Sequence, residues 1–146
     1  MTYRHATLND ITVLAAMNRQ LAGDEQHRNR NKPTEWFNKR MELFLNGEYE
    51  AIIFEQDKKV LGYALYRNHP EQSDTIYLRQ IFINRNYRRQ GFGHKAIKIM
   101  MNEVWPKDKR LTVEVLSGND AAISFYKSVG FQDYCLELEL KAEDRR

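Results

Sequence analysis

Two helices are predicted near the start of the chain, where apolar residues recur every three or four positions. The first begins at Thr7 and ends near Gly23, because the Thr7 hydroxyl can accept a backbone hydrogen bond and Asp10 favours the positive end of a helix. The second ends at Gly47, where glycine suits a left-handed stop. Residues 24–31 between them are polar and without period, and we predict a loop there. The apolar positions are Ile11, Leu14, Ala15 and Leu21 in the first helix and Phe37, Met41, Phe44 and Leu45 in the second.

The rest of the chain alternates between strand patterns and helix patterns. Runs rich in β-branched and aromatic residues, or with strict alternation, predict strands over residues 49–54, 60–66, 76–83, 111–116 and 131–140. Helical spacing returns over 96–104, before Pro106, and a last helix is predicted from Asn119 to Val129 with Gly130 as its stop. With a strand at the N-terminus, the order is strand, two helices, three strands, helix, strand, helix, strand. We therefore predict an α/β protein of the α+β type.

Length and composition indicate one domain. The chain has 146 residues, of which 42% are hydrophobic and 29% charged, and this is enough for one core but not for two. We predict a single domain over residues 1–146, with 141–146 as a frayed tail. No apolar run is long enough to span a membrane and the N-terminus carries no secretory pattern, so we expect a cytoplasmic protein without a membrane partner.

Charge and cysteine content limit the partners and cofactors. A net charge of +3 with 20 acidic residues is an ordinary surface balance, which makes nucleic acid an unfavoured partner. Cys135 is the only cysteine, so the chain has no internal disulfide and no cysteine-built metal site. Its position in an alternating run favours a core thiol, and we expect no metal.

The most distinctive motif is the turn Arg88-Arg89-Gln90-Gly91-Phe92-Gly93, which joins a predicted strand to a predicted helix. A strand that turns into a helix presents free backbone N–H groups at a positive helix end, and such a site attracts phosphate. The glycines permit the backbone angles of a cradle and the close approach of a ligand oxygen. Arg88, Arg89 and Lys95 can add direct charge, so we predict a site for a diphosphate.

The turn alone allows two other interpretations. Gly91-Phe92-Gly93-His94-Lys95-Ala96 also matches the dinucleotide-binding pattern G-x-G-x-x-A. That pattern normally follows the first strand of a doubly wound sheet, whereas only 50 residues follow Ala96 here. A glycine-rich connection with basic surface residues would explain the same hexapeptide.

The segment over residues 76–134 resembles the GNAT acetyltransferase family in several places. These are the apolar strand, Arg88-x-x-Gly91-x-Gly93, Asn119 after the next strand, and Phe125-Tyr126-x-x-x-Gly130-Phe131, in the family's order and spacing. The N-terminal half fits less specifically, through its strand, two helices and meander. The resemblance implies the GNAT fold, a mixed and mostly antiparallel twisted sheet flanked by helices, with splayed central strands.

The resemblance also implies acetyl-CoA as cosubstrate. In the family the pantetheine arm lies between the splayed strands, which assigns its binding here to the backbone of Ile81, Phe82 and Ile83. Asn119 and Tyr126 are similar to further family positions near the cofactor, and the Tyr126 phenol corresponds to the acid for the leaving thiolate. The residues of the turn and helix start that the resemblance assigns to the cofactor are Arg88, Arg89, Gln90, Gly91, Phe92, Gly93, His94 and Lys95.

The base that removes the amine proton is left open. Family members often place a carboxylate on the strand before the turn, but residues 76–83 include none. The candidates are Glu114 on the neighbouring strand, which we name with Tyr126 as catalytic, Glu25 or His27 in the loop between the first helices, and a relaying water. In the family this loop usually lines the acceptor pocket, so the resemblance assigns Glu25 and His27 to the substrate, together with Arg79 of the strand before the turn. A salt bridge would also explain Glu114, and ordinary solvated polarity would explain Glu25 and His27.

The predicted reaction is direct attack of an amine on the thioester in a ternary complex, because no cysteine or serine stands beside a recognisable base. The acceptor is a small-molecule amine or a peptide. Residues 76–80 resemble the corresponding segment of polyamine acetyltransferases with its two acidic residues replaced, which disfavours a polyamine. Arg79, together with the basic residues of the first loop, fits an amine that also carries a carboxylate or phosphate, although pairing with Glu114 would explain Arg79 equally well. Two alternatives are a coenzyme A-binding module of the same fold without turnover and a nucleic-acid-binding protein. A homodimer is compatible with the sequence.

Overall fold

The computed structural model describes all residues from Met1 to Arg146. The chain divides into two compact units, Met1–Leu116 and Ser117–Arg146. No helix has the length and apolar character that crossing a membrane requires.

The first unit is built on a five-stranded sheet with the order β1-β2-β3-β4-β5. The strands are β1 (Thr2–His5), β2 (Glu50–Gln56), β3 (Lys59–Asn68), β4 (Thr75–Ile83) and β5 (Arg110–Val113). Each of the first four pairs antiparallel with its neighbour, whereas β5 runs parallel to β4. A parallel pair needs a crossover, and the helix that follows the glycine turn supplies it.

Three helices belong to this unit. They are α1 (Ile11–Asp24), α2 (Thr34–Asn46) and α3 (Phe92–Ile99), which continues as a π-helical turn over Met100–Val104. The predicted start of α1 is confirmed: a 3-10 turn (Leu8–Asp10) precedes it, the Thr7 hydroxyl accepts from the Asn9 N–H, and the Asp10 carboxylate accepts from the Thr7 N–H at 2.8 Å. This capping box satisfies backbone donors that a helix start leaves without partners.

The main core lies between the sheet and the pair α1 and α2. Leu14, Phe37 and Met41 are fully buried against β2 and β3. Burying a side chain of this size stabilises the fold by about 2 kcal/mol. The neighbouring positions Ile52 and Phe54, on the opposite face of β2, are also fully buried. Because both faces of the sheet are covered, its central strands read as continuous hydrophobic runs rather than as alternating ones.

Two irregularities shape β4. Leu65 pairs with Gln80 but Tyr66 pairs with Leu78, so Arg79 is an extra residue that forms a β-bulge. On the other side of β4, pairing with β5 ends at Leu78. Beyond that point β4 continues without a strand beside it, and the prediction of splayed central strands is confirmed.

Strand β3 approaches β4 most closely at Gly62, which pairs with Ile83. A Cβ atom at Gly62 would lie 1.9 Å from the Phe82 carbonyl oxygen, a distance that no side chain can occupy. Glycine therefore allows β3 to hold the end of β4 immediately before the glycine turn.

The second unit contains α4 (Asp120–Ser128) and a short 3-10 helix (Ala142–Asp144), within the predicted tail. Asn119 caps α4 through its side-chain oxygen, which accepts from the Ala122 N–H at 3.1 Å, and Gly130 ends it with a φ of 108°. The predicted strand over residues 131–140 is not assigned as a strand. A strand is defined by its pairing, and this unit holds no partner strand for these residues. The predicted strand over 111–116 is likewise shorter and spans Arg110–Val113.

Candidate active site

The glycine turn leads from β4 into α3. The backbone of Arg89 and Gly91 is left-handed, with φ angles of 63° and 78°, and the helix begins at Phe92. The first helical hydrogen bond runs from the Lys95 N–H to the Gly91 carbonyl at 3.1 Å. The N–H groups of Phe92 and Gly93, the first two residues of α3, therefore have no partner within the helix and lie at its positive end. This is the geometry of an anion site.

The two glycines of the turn have different roles. Gly91 needs its positive φ, and an added Cβ would meet no atom within 4 Å, so conformation rather than space demands glycine there. Gly93 lies inside α3 and is not among the residues with positive φ. The prediction that the turn needs glycine for its backbone angles is therefore confirmed for Gly91, and the close approach of a ligand oxygen at Gly93 stays a prediction.

Arg88 joins the end of β4 to the end of α1. Its Nε donates to the Ile83 carbonyl at 2.8 Å, and its Nη2 donates to the Asp24 carboxylate at 2.6 Å. Arg85 donates to the other oxygen of the same carboxylate at 2.9 Å. The guanidinium of Arg88 is thus engaged within the protein, whereas Arg89 and Lys95 are exposed beside the turn.

The free side of β4 presents polar main-chain groups. The Asn84 N–H donates to the Leu61 carbonyl at 2.7 Å, so Asn84 faces β3. The main-chain N–H and carbonyl groups of successive residues in a strand point to opposite sides. The main-chain groups of Phe82 therefore also point to β3, whereas those of Ile81 and Ile83 point to the side on which β5 has ended. The Ile83 carbonyl is bound by Arg88. This leaves the N–H and carbonyl of Ile81 and the N–H of Ile83 at the free edge.

Arg79 and Arg40 meet over one aromatic ring on the α1 and α2 side of the sheet. The guanidinium carbon of Arg79 lies 4.9 Å from the centroid of Phe44, and that of Arg40 lies 5.4 Å from the same centroid. Arg79 donates to the Tyr49 hydroxyl at 3.1 Å, and Arg40 also stacks on Trp36 at 5.2 Å. Both arginines are half-buried.

Glu25 and His27 belong to the same region. Burial, with a smaller effect of Asp24, raises the pKa of Glu25, which Arg40 partly offsets. Burial and the positive charges of Arg40, Arg28 and Arg79 lower the pKa of His27. Its Nδ1 accepts from the Asn29 N–H at 3.1 Å, so the neutral ring carries its proton on Nε2. His27 is therefore suited to donate a hydrogen bond, whereas Glu25 is suited to accept a proton.

A buried polar chain runs beneath this region and was missed from the sequence. The Tyr63 hydroxyl donates to Gln80 at 2.8 Å and accepts from Asn18 at 3.4 Å. Burial raises the pKa of Tyr63, which therefore stays a neutral phenol. The sequence did contain a signal for Asn18 and for Arg40. Asn18 lies on the apolar side of α1 and Arg40 on the apolar side of α2, where a polar residue is unexpected.

Glu114 follows β5 and interacts with Tyr77 rather than with Arg79. Burial first, and the Glu114 carboxylate second, raise the pKa of Tyr77 to about 12. Arg79 makes its hydrogen bond to Tyr49 instead. The alternative explanation of Arg79 as the salt-bridge partner of Glu114 is therefore wrong.

Tyr126 and Asn119 belong to the second unit. Tyr126 is buried on α4, and its ring lies 5.2 Å from that of Phe125 and 5.5 Å from that of Phe131. Asn119 serves as the cap of α4. Their predicted roles toward the cofactor and the leaving thiolate stay predictions.

Comparison with known proteins identifies the family. The family model described as "Acetyltransferase (GNAT) family" matches residues 13–131. The chain belongs to this family. Among solved structures, a predicted acetyltransferase with acetyl-CoA from Clostridium acetobutylicum superposes with a TM-score of 0.75 at 18% identity, covering 99% of this chain and 97% of that one. At this identity the likeness concerns the fold.

Curated relatives of this GNAT protein are acetyltransferases with different acceptors. The thialysine N-epsilon-acetyltransferase of Bos taurus is 36% identical over 77 residues, which cover 51% of this chain and 45% of the relative. The spermine/spermidine N(1)-acetyltransferase of Bacillus subtilis is 26% identical over 102 residues, covering 65% and 66%. The chain thus spans about half to two thirds of the length of the curated relatives that it matches.

Proposed function

We propose that this protein is an N-acetyltransferase that uses acetyl-CoA to acetylate an amine. The observation that carries the proposal is the continuity of two main-chain features. The free edge of β4 at Ile81 and Ile83 is followed by a short 3-10 turn (Arg85–Tyr87) and then by the glycine turn and the start of α3. An edge that can pair with amides, followed by a site for an anion, matches the order of pantetheine and pyrophosphate in coenzyme A.

The proposed cofactor contacts divide between main chain and side chain. Ile81 and Ile83 bind the pantetheine amides, and the N–H groups at the start of α3 bind the pyrophosphate. Phe82 is not assigned this role, because its polar groups face β3. Arg89 and Lys95 add charge from the surface, and Arg88 holds the end of β4 in position through the Ile83 carbonyl.

Acetyl-CoA supplies an activated acetyl thioester, so the protein must chiefly position the amine and manage its protons. Glu25 is the base that we propose. A carboxylate whose pKa is raised by burial accepts a proton more readily than an exposed one. His27 donates a hydrogen bond from Nε2, and Tyr126 keeps the role of acid that the family resemblance implies.

The relatives support an aliphatic amine as acceptor. One is named for thialysine, which is an amino acid, and the other for spermine and spermidine, which are polyamines. Both kinds of substrate offer a primary amine, and this shared group is the acceptor that we assign to the protein.

Incubation with acetyl-CoA and a panel of primary amines tests the proposal. We expect release of free coenzyme A and an acetylated product by mass spectrometry, together with binding of acetyl-CoA by calorimetry. Binding without turnover across the panel would favour a coenzyme A-binding module. The absence of binding would overturn the proposed function altogether.

A further inference from the structure

Two guanidinium groups near Glu25 have no acidic partner. Arg4, Arg67, Arg85 and Arg88 each form an ion pair with a carboxylate. Arg40 and Arg79 form no ion pair; their guanidinium groups lie over aromatic rings, and Arg79 also donates to the Tyr49 hydroxyl. Of the three half-buried arginines, Arg67 pairs with Glu48, whereas Arg40 and Arg79 have no carboxylate within ion-pair distance.

The unpaired arrangement is costly for the protein. Arg40 and Arg79 lie over the same ring of Phe44, and both are half-buried. Burial and the charge of Arg79 lower the pKa of Arg40. Like charges in a partly desolvated place repel each other, and an anion bound near both of them reduces that repulsion.

The fold fixes the position of both groups. Arg79 is the extra residue of the β4 bulge, a feature that redirects a side chain, and Tyr49 accepts its hydrogen bond. Arg40 stacks between the rings of Trp36 and Phe44. Guanidinium groups held in this way lose little freedom when they bind a carboxylate, which they recognise through paired N–H groups.

Glu25 adds a carboxylate to the same region. Its charge acts on Arg40, but no hydrogen bond or ion pair within 4 Å engages its carboxylate. The region therefore offers a free acid for an amine and two free cations for an anion. A polyamine satisfies only the first of these groups.

We propose that the acceptor is an amino acid or a similar amine that carries a carboxylate, which Arg40 and Arg79 bind while the amine lies at Glu25. This inference rests on the proposed acetyltransferase function. It identifies the two arginines as the residues that determine acceptor specificity.

Matched pairs of amines that differ only in the carboxylate test the inference. L-lysine is compared with cadaverine, and L-ornithine with putrescine, by kcat/KM at saturating acetyl-CoA. We expect the amino acids to be preferred by about 10- to 100-fold, the effect of one lost charge-assisted hydrogen bond. Equal values within both pairs, or preference for the diamines, would overturn the inference while leaving the acetyltransferase function intact.

Substitution of the two arginines is the second test of the inference. We expect R40M and R79M, which keep an apolar stem over Phe44, to abolish the preference by slowing acetylation of the amino acids alone. R19M, on the exposed side of α1, is the matched control and should keep it. Equal loss for both members of each pair would instead assign the arginines a purely structural role and overturn the inference. Thermal melting of each variant checks that it is folded.

Discussion

The two sides of the candidate site differ in the groups that build them, main chain on one side and side chains on the other. The cofactor side consists of main-chain groups from one continuous segment, β4, the glycine turn and α3. The proposed acceptor side consists of side chains from α2, β4 and the loop after α1, namely Arg40, Arg79 and Glu25. A main-chain site tolerates many side chains but depends on backbone conformation, whereas a side-chain site can change its ligand through one substitution.

The largest effect is expected on the acceptor side, where replacing the carboxylate of Glu25 by an amide should lower kcat. E25Q keeps the size of Glu25 but cannot accept a proton, and loss of a general base typically lowers a rate by about 100- to 10,000-fold. We expect kcat to fall by about this factor while the affinity for acetyl-CoA, measured by calorimetry, stays unchanged. E42Q on the exposed side of α2 is the control.

An unchanged kcat in E25Q would mean that a group other than Glu25 accepts the proton of the amine. Glu114 or a relaying water would then be the remaining candidates, and E114Q would be the next variant. The acceptor side would in that case lack the catalytic group that distinguishes it from the cofactor side.

The next effect concerns the backbone on the cofactor side. G62A places a Cβ where the Phe82 carbonyl oxygen lies, so β3 and β4 must separate. We expect the free energy of unfolding to fall by about 2–3 kcal/mol in urea, together with weaker binding of acetyl-CoA. G23A, where a Cβ meets no atom within 4 Å, should cause no such loss. Wild-type stability in G62A would mean that the close approach of the two strands is not required.

A smaller effect is expected in the glycine turn itself. Gly91 has a φ of 78°, which costs a β-branched residue about 1–2 kcal/mol. G91V should therefore weaken acetyl-CoA binding about tenfold, and G91N should weaken it less, because asparagine tolerates this conformation better. Equal affinities for the wild type and G91V would show that the conformation of the turn does not control cofactor binding.

The smallest effect is the contribution of Glu25 to the pH dependence of stability. Burial raises the pKa of Glu25, so the folded protein holds this proton more tightly than the unfolded chain. The free energy of unfolding should therefore decrease as pH rises from the usual glutamate pKa, about 4.3, through the raised value. Urea unfolding should show E25Q to be more stable than the wild type above that interval and similar below it. A constant difference at all pH values would contradict the raised pKa.

Features formed by one continuous segment could be predicted from the sequence, whereas side chains brought together by packing could not. Local patterns predicted the element order up to α4, the helix start at Thr7 and the glycine turn, and the structure confirms these. The splayed end of β4 was expected from the family resemblance and is also confirmed, whereas the last predicted strand, over residues 131–140, is wrong. The arginine pair escaped prediction because Arg40 and Arg79 are 39 positions apart and meet only after α2 packs on the sheet. The direction of Phe82 depended on strand register, which a short apolar run does not specify.

A crystal structure with bound coenzyme A tests the proposed cofactor site. We expect the pyrophosphate within hydrogen-bond distance of N–H groups at the start of α3, and pantetheine amides paired with Ile81 and Ile83 but not with Phe82. A pyrophosphate bound away from residues 88–95, or a pantetheine arm that does not follow the free edge of β4, would contradict the proposed site.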